Sequence, residues 1–172
     1  MKRIGLLSDT HSFVDPAIFN HFSECDEIWH AGDFGQNDFL HRLENGMTNR
    51  NIKAVLRGVF GNIDDAEARS EFPLDTKFEI EKISVWMTHI GGYPNRYHQR
   101  IREDLKRNPP KIFIAGHSHI LKVQYDKKLN LLHLNPGAAG NYGFHKIRTM
   151  LRFSLDNGEI KNMEIIELSK RG

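Results

Sequence analysis

The sequence predicts an α/β chain, a mixed two-sheet sandwich with outer helices, and three observations carry that expectation. In the first half, short apolar runs alternate with helix-like segments, the pattern of parallel βαβ units. In the second half, apolar runs follow one another through short polar links, the pattern of antiparallel pairs. No repeat, low-complexity tract or linker divides the chain, so residues 1–172 are expected to form one domain in which both strand directions share a core.

The first strand is placed at Arg3 to Leu7. Ser8 and Asp9 end that apolar stretch before a signal-peptide core could form, so the segment is read as a strand. Pro16 to Phe22 has helical spacing, with Asp15 and Pro16 as an N-cap and N1 pair. Glu27 to Trp29 is the second strand, Asn37 to Leu43 the second helix and Ile52 to Leu56 the third strand. Phe78 to Ile80 and Ile83 to Met87, linked by Glu81 and Lys82, make a hairpin. Tyr97, Ile101 and Leu105 recur every four residues among charged neighbours, an amphipathic helix that stops near Asn108, before Pro109 and Pro110. Ile112 opens the next strand. Val123 with Tyr125, Leu129 to Leu134, Met150 to Leu155 and Ile160 to Ile166 complete the set, with turns at Asp126-Lys127 and Asp156-Asn157-Gly158. Trp29, Phe78, Trp86 and Phe113 fall in strand patterns and are expected in the core.

Lys and Arg number 24 and Asp and Glu 22, an excess of two that gives no nucleic-acid signal. No apolar run approaches the roughly 20 residues that span a bilayer, so no membrane partner is expected. Cys25 is the only cysteine, which excludes an intramolecular disulfide and a thiolate metal cluster and suits a reducing cytoplasm. It is read as a packing residue. Whether the chain acts alone or as a homo-oligomer is left open.

Chemistry enters where strands end. Ile4-Gly5-Leu6-Leu7 runs into Ser8-Asp9-Thr10-His11, and Ile28-Trp29 into His30-Ala31-Gly32-Asp33. Val55-Leu56 leads on to Gly61-Asn62-Ile63-Asp64, Val85-Trp86-Met87 to Thr88-His89, and Ile112-Phe113-Ile114 to Ala115-Gly116-His117-Ser118-His119. Ligands of α/β sheets collect outside the carboxyl ends of strands, so these groups are expected along one edge. Asp9 with His11, and His117 with His119, are two apart, and on extended backbone both members would point to one side. Carboxylate, imidazole and amide groups without sulfur suit manganese, iron, zinc, nickel or cobalt, and manganese is the metal expected among them. Seven such groups are too many for one tetrahedral ion, so two divalent ions are expected, bridged by Asp33, whose preceding glycine permits close backbone approach. Two ions roughly 3.5–4 Å apart can hold a bridging hydroxide and clamp a phosphoryl group.

At these motifs the chain resembles the calcineurin-like metallophosphoesterase superfamily, whose signature of Asp-x-His, Gly-Asp, Gly-Asn, His and Gly-His-x-His is present in order. More narrowly it resembles the small bacterial and archaeal phosphodiesterases of that family, through Gly61-Asn62-Ile63-Asp64 and Asn135-Pro136-Gly137. The resemblance implies a four-layer αββα sandwich with two mixed β-sheets. It implies one metal at Asp9, His11, Asp33 and His119 and another at Asp33, Asn62, His89 and His117, with Asp33, Asn62 and His117 as the catalytic residues among them. The implied reaction is hydrolysis of a small phosphodiester substrate; a phosphomonoesterase, or a scaffold like the trafficking subunit that shares the fold, are the alternatives.

Two departures stand out. Larger members carry His after the motif Asn, and the small subfamily commonly Cys, where this chain has Ile63, which cannot protonate a leaving group. Where the subfamily often has Ser after Asn-Pro-Gly, this chain reads Ala138-Ala139-Gly140, followed by Tyr142 and Phe144. His30 is a candidate support for a ligand loop, Asn135 either orients a ligand or makes a turn, and Asp64 is preferred as a helix cap. Arg96, His98 and Arg100 are candidate phosphate contacts or a solvated face. His21, His41, His133 and His145 are read as structural.

Overall fold

The computed structural model describes residues 1–36 and 38–170, the side chain of Lys170 excepted. In chain order the elements are β1 (Lys2–Leu7), α1 (Pro16–Phe22), β2 (Glu27–His30), α2 (Phe39–Asn49), β3 (Val55–Gly58), α3 (Ala66–Glu71), β4 (Asp75–Ile80) and β5 (Ile83–Thr88). They continue with β6 (Gly92–Tyr93), β7 (Arg96–Tyr97), α4 (Gln99–Arg107), β8 (Ile112–Ile114), β9 (Lys122–Asp126), β10 (Leu131–Asn135), β11 (Ile147–Asp156) and β12 (Glu159–Lys170).

Two five-stranded sheets result, in the orders β12-β11-β1-β2-β3 and β4-β5-β8-β10-β9. Both are mixed. β1, β2 and β3 are parallel to one another, with β11 antiparallel to β1. In the second sheet β5, β8 and β10 are parallel, flanked by antiparallel β4 and β9. Ile4, Leu6, Trp29, Val85, Met87, Ile112, Ile114, Leu134 and Phe153 fill the space between the sheets. Leu7, Ile18, Phe22, Ile28, Leu43 and Met47 pack the helical layer of α1 and α2 on the first sheet. Ile101 and Leu105 of α4 meet Trp86, Phe113 and Leu131 on the outer face of the second. The layers are therefore α, β, β, α.

Local chemistry explains most boundaries. Asp15 accepts the Ala17 N–H at 2.8 Å with Pro16 opening α1, as expected of that pair. Glu81 and Lys82 both have positive φ, 49° and 60°, the two-residue turn whose twist matches the strands it joins. The α2 helix runs beyond Leu43 because Met47 continues the buried stripe of Phe39, Leu40 and Leu43; Asn37, where that helix was expected to begin, lies outside the described residues. The third strand starts at Val55 and not at Ile52. The Ile52 N–H donates to Met47 O at 2.9 Å past Asn51 at φ 55°, so Ile52 belongs to the turn that closes α2. Tyr97 falls in the β6–β7 ribbon, which the sequence did not announce, and His98 caps α4 through its ring nitrogen. The four aromatics expected inside do lie there or against the core, Phe78 packing edge-on to Trp29. Cys25 is buried, and burial pushes its thiol up to about 11, far from a nucleophile's range. Among the described residues no helix is long and apolar enough to cross a membrane.

His133 alternates with core residues Leu132 and Leu134 and so faces the outer side of the second sheet, near Phe113 and Tyr97. It is fully buried, and neither ring nitrogen has a hydrogen-bond partner among the described groups. Burial lowers its pKa from 6.5 to about 4. The unfolded chain therefore takes up a proton between those values while the folded chain does not, and stability falls as pH drops from 6.5 toward 4. His133→Phe should remove about 2 kcal/mol of the loss seen near pH 5. Urea unfolding at pH 7.5 and pH 5 checks this; equal acid sensitivity of the two proteins would refute it.

Candidate metal centre

The strands that precede the predicted ligands are the parallel ones. β1, β2 and β3 lie side by side in the first sheet, and β5 and β8 do so in the second, so within each sheet their carboxyl ends share an edge. The loops there are laced together. Asp9 N–H donates to Gly32 O at 3.0 Å and His11 N–H to Asp33 O at 3.1 Å. Between sheets, His117 N–H donates to Asp9 Oδ2 at 3.1 Å, and His89 Nδ1 lies 2.8 Å from Ala31 O.

The backbone there is not extended. Asp9, His11, Asp33, His117 and His119 have φ of 53°, 46°, 55°, 65° and 58°, so the reading of Asp-x-His and His-x-His as strand ends with both side chains on one face does not hold. These residues lie in loops just beyond the strands, and left-handed backbone turns their side chains together. For non-glycine residues that conformation costs about 1–2 kcal/mol each. Gly32, at φ 93°, leaves room where a Cβ would come within 2.6 Å of the His89 ring. At Gly61 a Cβ would run into Asp33 Oδ1.

Two groups capable of holding an ion result: Asp9, His11 and His119, and Asp33, His89 and His117. Asn62 joins the second, its Oδ1 lying 3.1 Å from His89 Nε2. Asp33 stands between them, with Oδ1 3.2 Å from His89 Nε2 and Oδ2 3.8 Å from His11 Nε2. All seven predicted residues therefore converge.

The donor set suits a cation. Asp9 is fully buried, and its Oδ1 accepts no hydrogen bond from the described groups although His119 Nε2 lies 3.2 Å away. His11 and His119 turn Nε2 toward each other at 3.2 Å. Because His89 Nδ1 faces a carbonyl oxygen and must donate, its Nε2 lone pair in the neutral ring would point at two more oxygens, those of Asp33 and Asn62. Burial opposes charge on His89, but the Asp33 hydrogen bond and the charges of Asp9 and Asp33 outweigh it and raise its pKa. Burial likewise opposes the Asp33 charge, and the His89 contacts overcome it, holding that carboxyl below its usual range. His11 and His117 are shifted down, first by burial, which leaves neutral imidazoles able to coordinate.

A second set of residues holds this one in place. His30 stacks on Phe34 at 3.8 Å, meets Thr10 Oγ1 at 2.9 Å and accepts the Gly32 N–H at 3.2 Å, bracing the turn that carries Asp33. Burial drives its pKa down to about 3, so it stays neutral. Asn135 does more than turn the chain, since it donates to Gly116 O at 2.8 Å and accepts from Gly137 N–H at 3.0 Å, fixing the loop of His117. Asp64 is not the helix cap. Asp65 caps α3 through Ala68 N–H, while Asp64 accepts the N–H groups of Gly35 at 2.9 Å and Gly61 at 2.6 Å and so joins the Asp33 and Asn62 loops. Arg100 is not free for substrate either, as it is held by Asp75 at 2.5 and 2.9 Å and by Thr88 at 2.8 Å.

Three further residues lie near the site: His145, expected to be structural, Tyr142, marked only by its place after Ala138-Ala139-Gly140, and Arg69, which carries no signal in the sequence. The His145 ring lies 5.2 Å from that of His119, and Tyr142 lies 5.1 Å from His11. Arg69 donates to the carbonyls of Asp64, Gly61 and Asn62. Each reaches the site through the tertiary fold or a helix turn and not through a strand-end motif.

Residues 1–158 match the family model described as the calcineurin-like phosphoesterase superfamily domain. The chain belongs to this superfamily. A probable metallophosphoesterase of Methanothermobacter thermautotrophicus is 32% identical over 140 residues, covering 78% of this chain and 76% of its own. Among solved structures, one described as a novel archaeal phosphodiesterase superposes with a TM-score of 0.75 at 22% identity, covering 96% of this chain and 99% of that one. Vps29 of Entamoeba histolytica, solved in complex with zinc, gives 0.69 at 14% identity over 96% and 98% of the two chains. Family membership makes this a metal-dependent phosphoesterase fold with hydrolase chemistry, and the two groups above are candidates for holding the divalent ions that the family implies.

Asp64→Ala should leave two buried N–H groups unpaired, costing about 1–3 kcal/mol, and should weaken manganese binding about 10–100-fold by loosening the loops of Asp33 and Asn62. Thermal unfolding without metal and calorimetric titration with manganese measure the two effects. Wild-type manganese affinity in the variant would show that Asp64 does not support the centre.

Proposed function

We propose that the chain is a phosphodiesterase that hydrolyses small phosphate diesters at a dinuclear centre held by Asp9, His11, Asp33, Asn62, His89, His117 and His119, acting in the cytoplasm. The observation that carries this reading is the position of Asp33, one carboxylate oxygen toward each group. Two divalent ions, manganese foremost, would supply Lewis-acid neutralisation of a phosphoryl oxygen and activation of water.

The chain's own residues define what surrounds them. Asn62 is exposed and presents its amide beside His89, where it can orient a phosphoryl oxygen. His117, exposed on the open side of the site and with its pKa lowered by partial desolvation and by nearby His89, can turn a nitrogen lone pair or an N–H toward the same group. Ile63, 36% exposed, places a hydrocarbon where larger relatives carry His, so no proton is delivered from that position and good leaving groups are favoured. A monoester's extra negative charge would need a further cation. Arg100 is already paired with Asp75, and Arg69 spends Nε and Nη2 on carbonyls, which favours the diester. The likeness to a structure described as a phosphodiesterase agrees with this reading.

Manganese-loaded protein should hydrolyse bis(4-nitrophenyl) phosphate with kcat/KM at least about tenfold above that for 4-nitrophenyl phosphate, and Asp33→Ala should lose metal and turnover together. Ile63→His should raise rates on alkyl esters about 10²-fold or more while changing nitrophenyl esters little. A metal-loaded protein inert toward both nitrophenyl esters would favour the scaffold reading, and a preference for the monoester would overturn the diesterase assignment.

A further inference from the structure

A cavity of about 370 Å³ opens beside the second group, and its wall includes Asn62 and His89. Phe60, Leu74 and Ile90 give it an apolar lining, and Arg69, His98 and Arg100 complete it. Leu74 is 44% exposed, which leaves nearly half of a large apolar side chain unused by the core and turned to this rim. Phe60 and Ile90 are half-buried.

The charged residues of the wall are already engaged. Arg100 is neutralised by Asp75 and also donates to Thr88. Arg69 lies over the Phe60 ring at 4.5 Å, with Nε and Nη2 held by backbone carbonyls. His98 takes the Arg100 N–H on Nδ1. The engaged arginines offer flat guanidinium and hydrocarbon surface more than unmet charge, and the other ring nitrogen of His98 remains as a polar handle. A cavity of this size, at the small end of the range of small-ligand pockets, has room for one ring system.

We propose that this cavity is the subsite for one ester arm of the substrate and that it selects a flat, uncharged aromatic group, an aryl ring or a nucleobase. The proposal rests on the dinuclear diesterase reading, because a phosphorus held beside Asn62 and His89 sends one substituent into this space. Phe60, Leu74 and Ile90 then cover the ring, Arg69 and Arg100 flank it, and His98 hydrogen-bonds a ring substituent. Sugar or short alkyl arms would leave the apolar wall wet, and a second phosphate would meet no free cation fork there.

Calorimetric titration of the manganese-loaded protein with phenylphosphonate and with methylphosphonate tests this, since the two differ only in the arm. Phenylphosphonate should bind about tenfold more tightly. In Leu74→Asp, a substitution at an exposed position that the fold should tolerate, the ratio should fall to about one. A second variant, Ile90→Ala, should reduce the ratio in the same direction. Equal affinity of the two phosphonates for the wild type, or an undiminished ratio in Leu74→Asp, would overturn the subsite while leaving the dinuclear reading intact. Failure of the protein to take up two manganese ions per chain in the same calorimeter would instead remove the dinuclear reading, and the subsite with it.

Discussion

Two buried carboxylates impose the constraint from which the rest of the structure follows. Asp9 is fully buried and Asp33 is 2% exposed. A charge in such a place is tolerated only where opposite charge and hydrogen-bond donors surround it. The Ser8 hydroxyl and the His117 N–H supply donors to Asp9, and the Ile63 N–H does so for Asp33. Imidazoles from both sheets complete the shell. The same oxygens that must be compensated in the folded protein belong to the two groups capable of holding an ion, so the requirement of folding and the capacity to bind a cation fall on one set of atoms.

The strained loops are a consequence. Five of the predicted ligands adopt left-handed backbone, a cost of several kcal/mol by the usual scale for non-glycine residues. What offsets it is the lacing of loop to loop: the N–H groups of Asp9, His11 and Ser12 reach the carbonyls of Gly32, Asp33 and Phe34. Asp64, His30 and Asn135 add side-chain braces at three further points. None of these braces lies in either of the groups that could hold a metal, yet each fixes a loop that carries one of their members.

The division between dry and polar regions follows the strands. Between the sheets the packing is aliphatic and aromatic as far as Leu6, Met87 and Ile114, and the polar residues begin within a few positions, at Asp9, His89 and His117. Parallel strands deliver them to one edge because parallel neighbours end at the same side. The antiparallel strands β11, β12, β4 and β9 widen the sheets without contributing to either metal-binding group.

Much of this was legible in the linear chain. The α/β class, the Asp15–Pro16 helix start, the Glu81–Lys82 hairpin and the seven polar residues that follow strands are all local patterns, decided within a few residues by side-chain period, capping and turn geometry. The tertiary structure decided the rest. Ile52 closes a helix where its apolar run suggested a strand, Asp65 caps where Asp64 was preferred, Asp75 claims Arg100, and Asp9 and His11 share a direction through left-handed backbone and not through an extended strand. His11 meets His119 across 108 positions of sequence. Contacts at such separations depend on how the two sheets pack, so the sequence named the groups capable of holding metal, and only the fold could determine which faced one another and which were spent on holding them there.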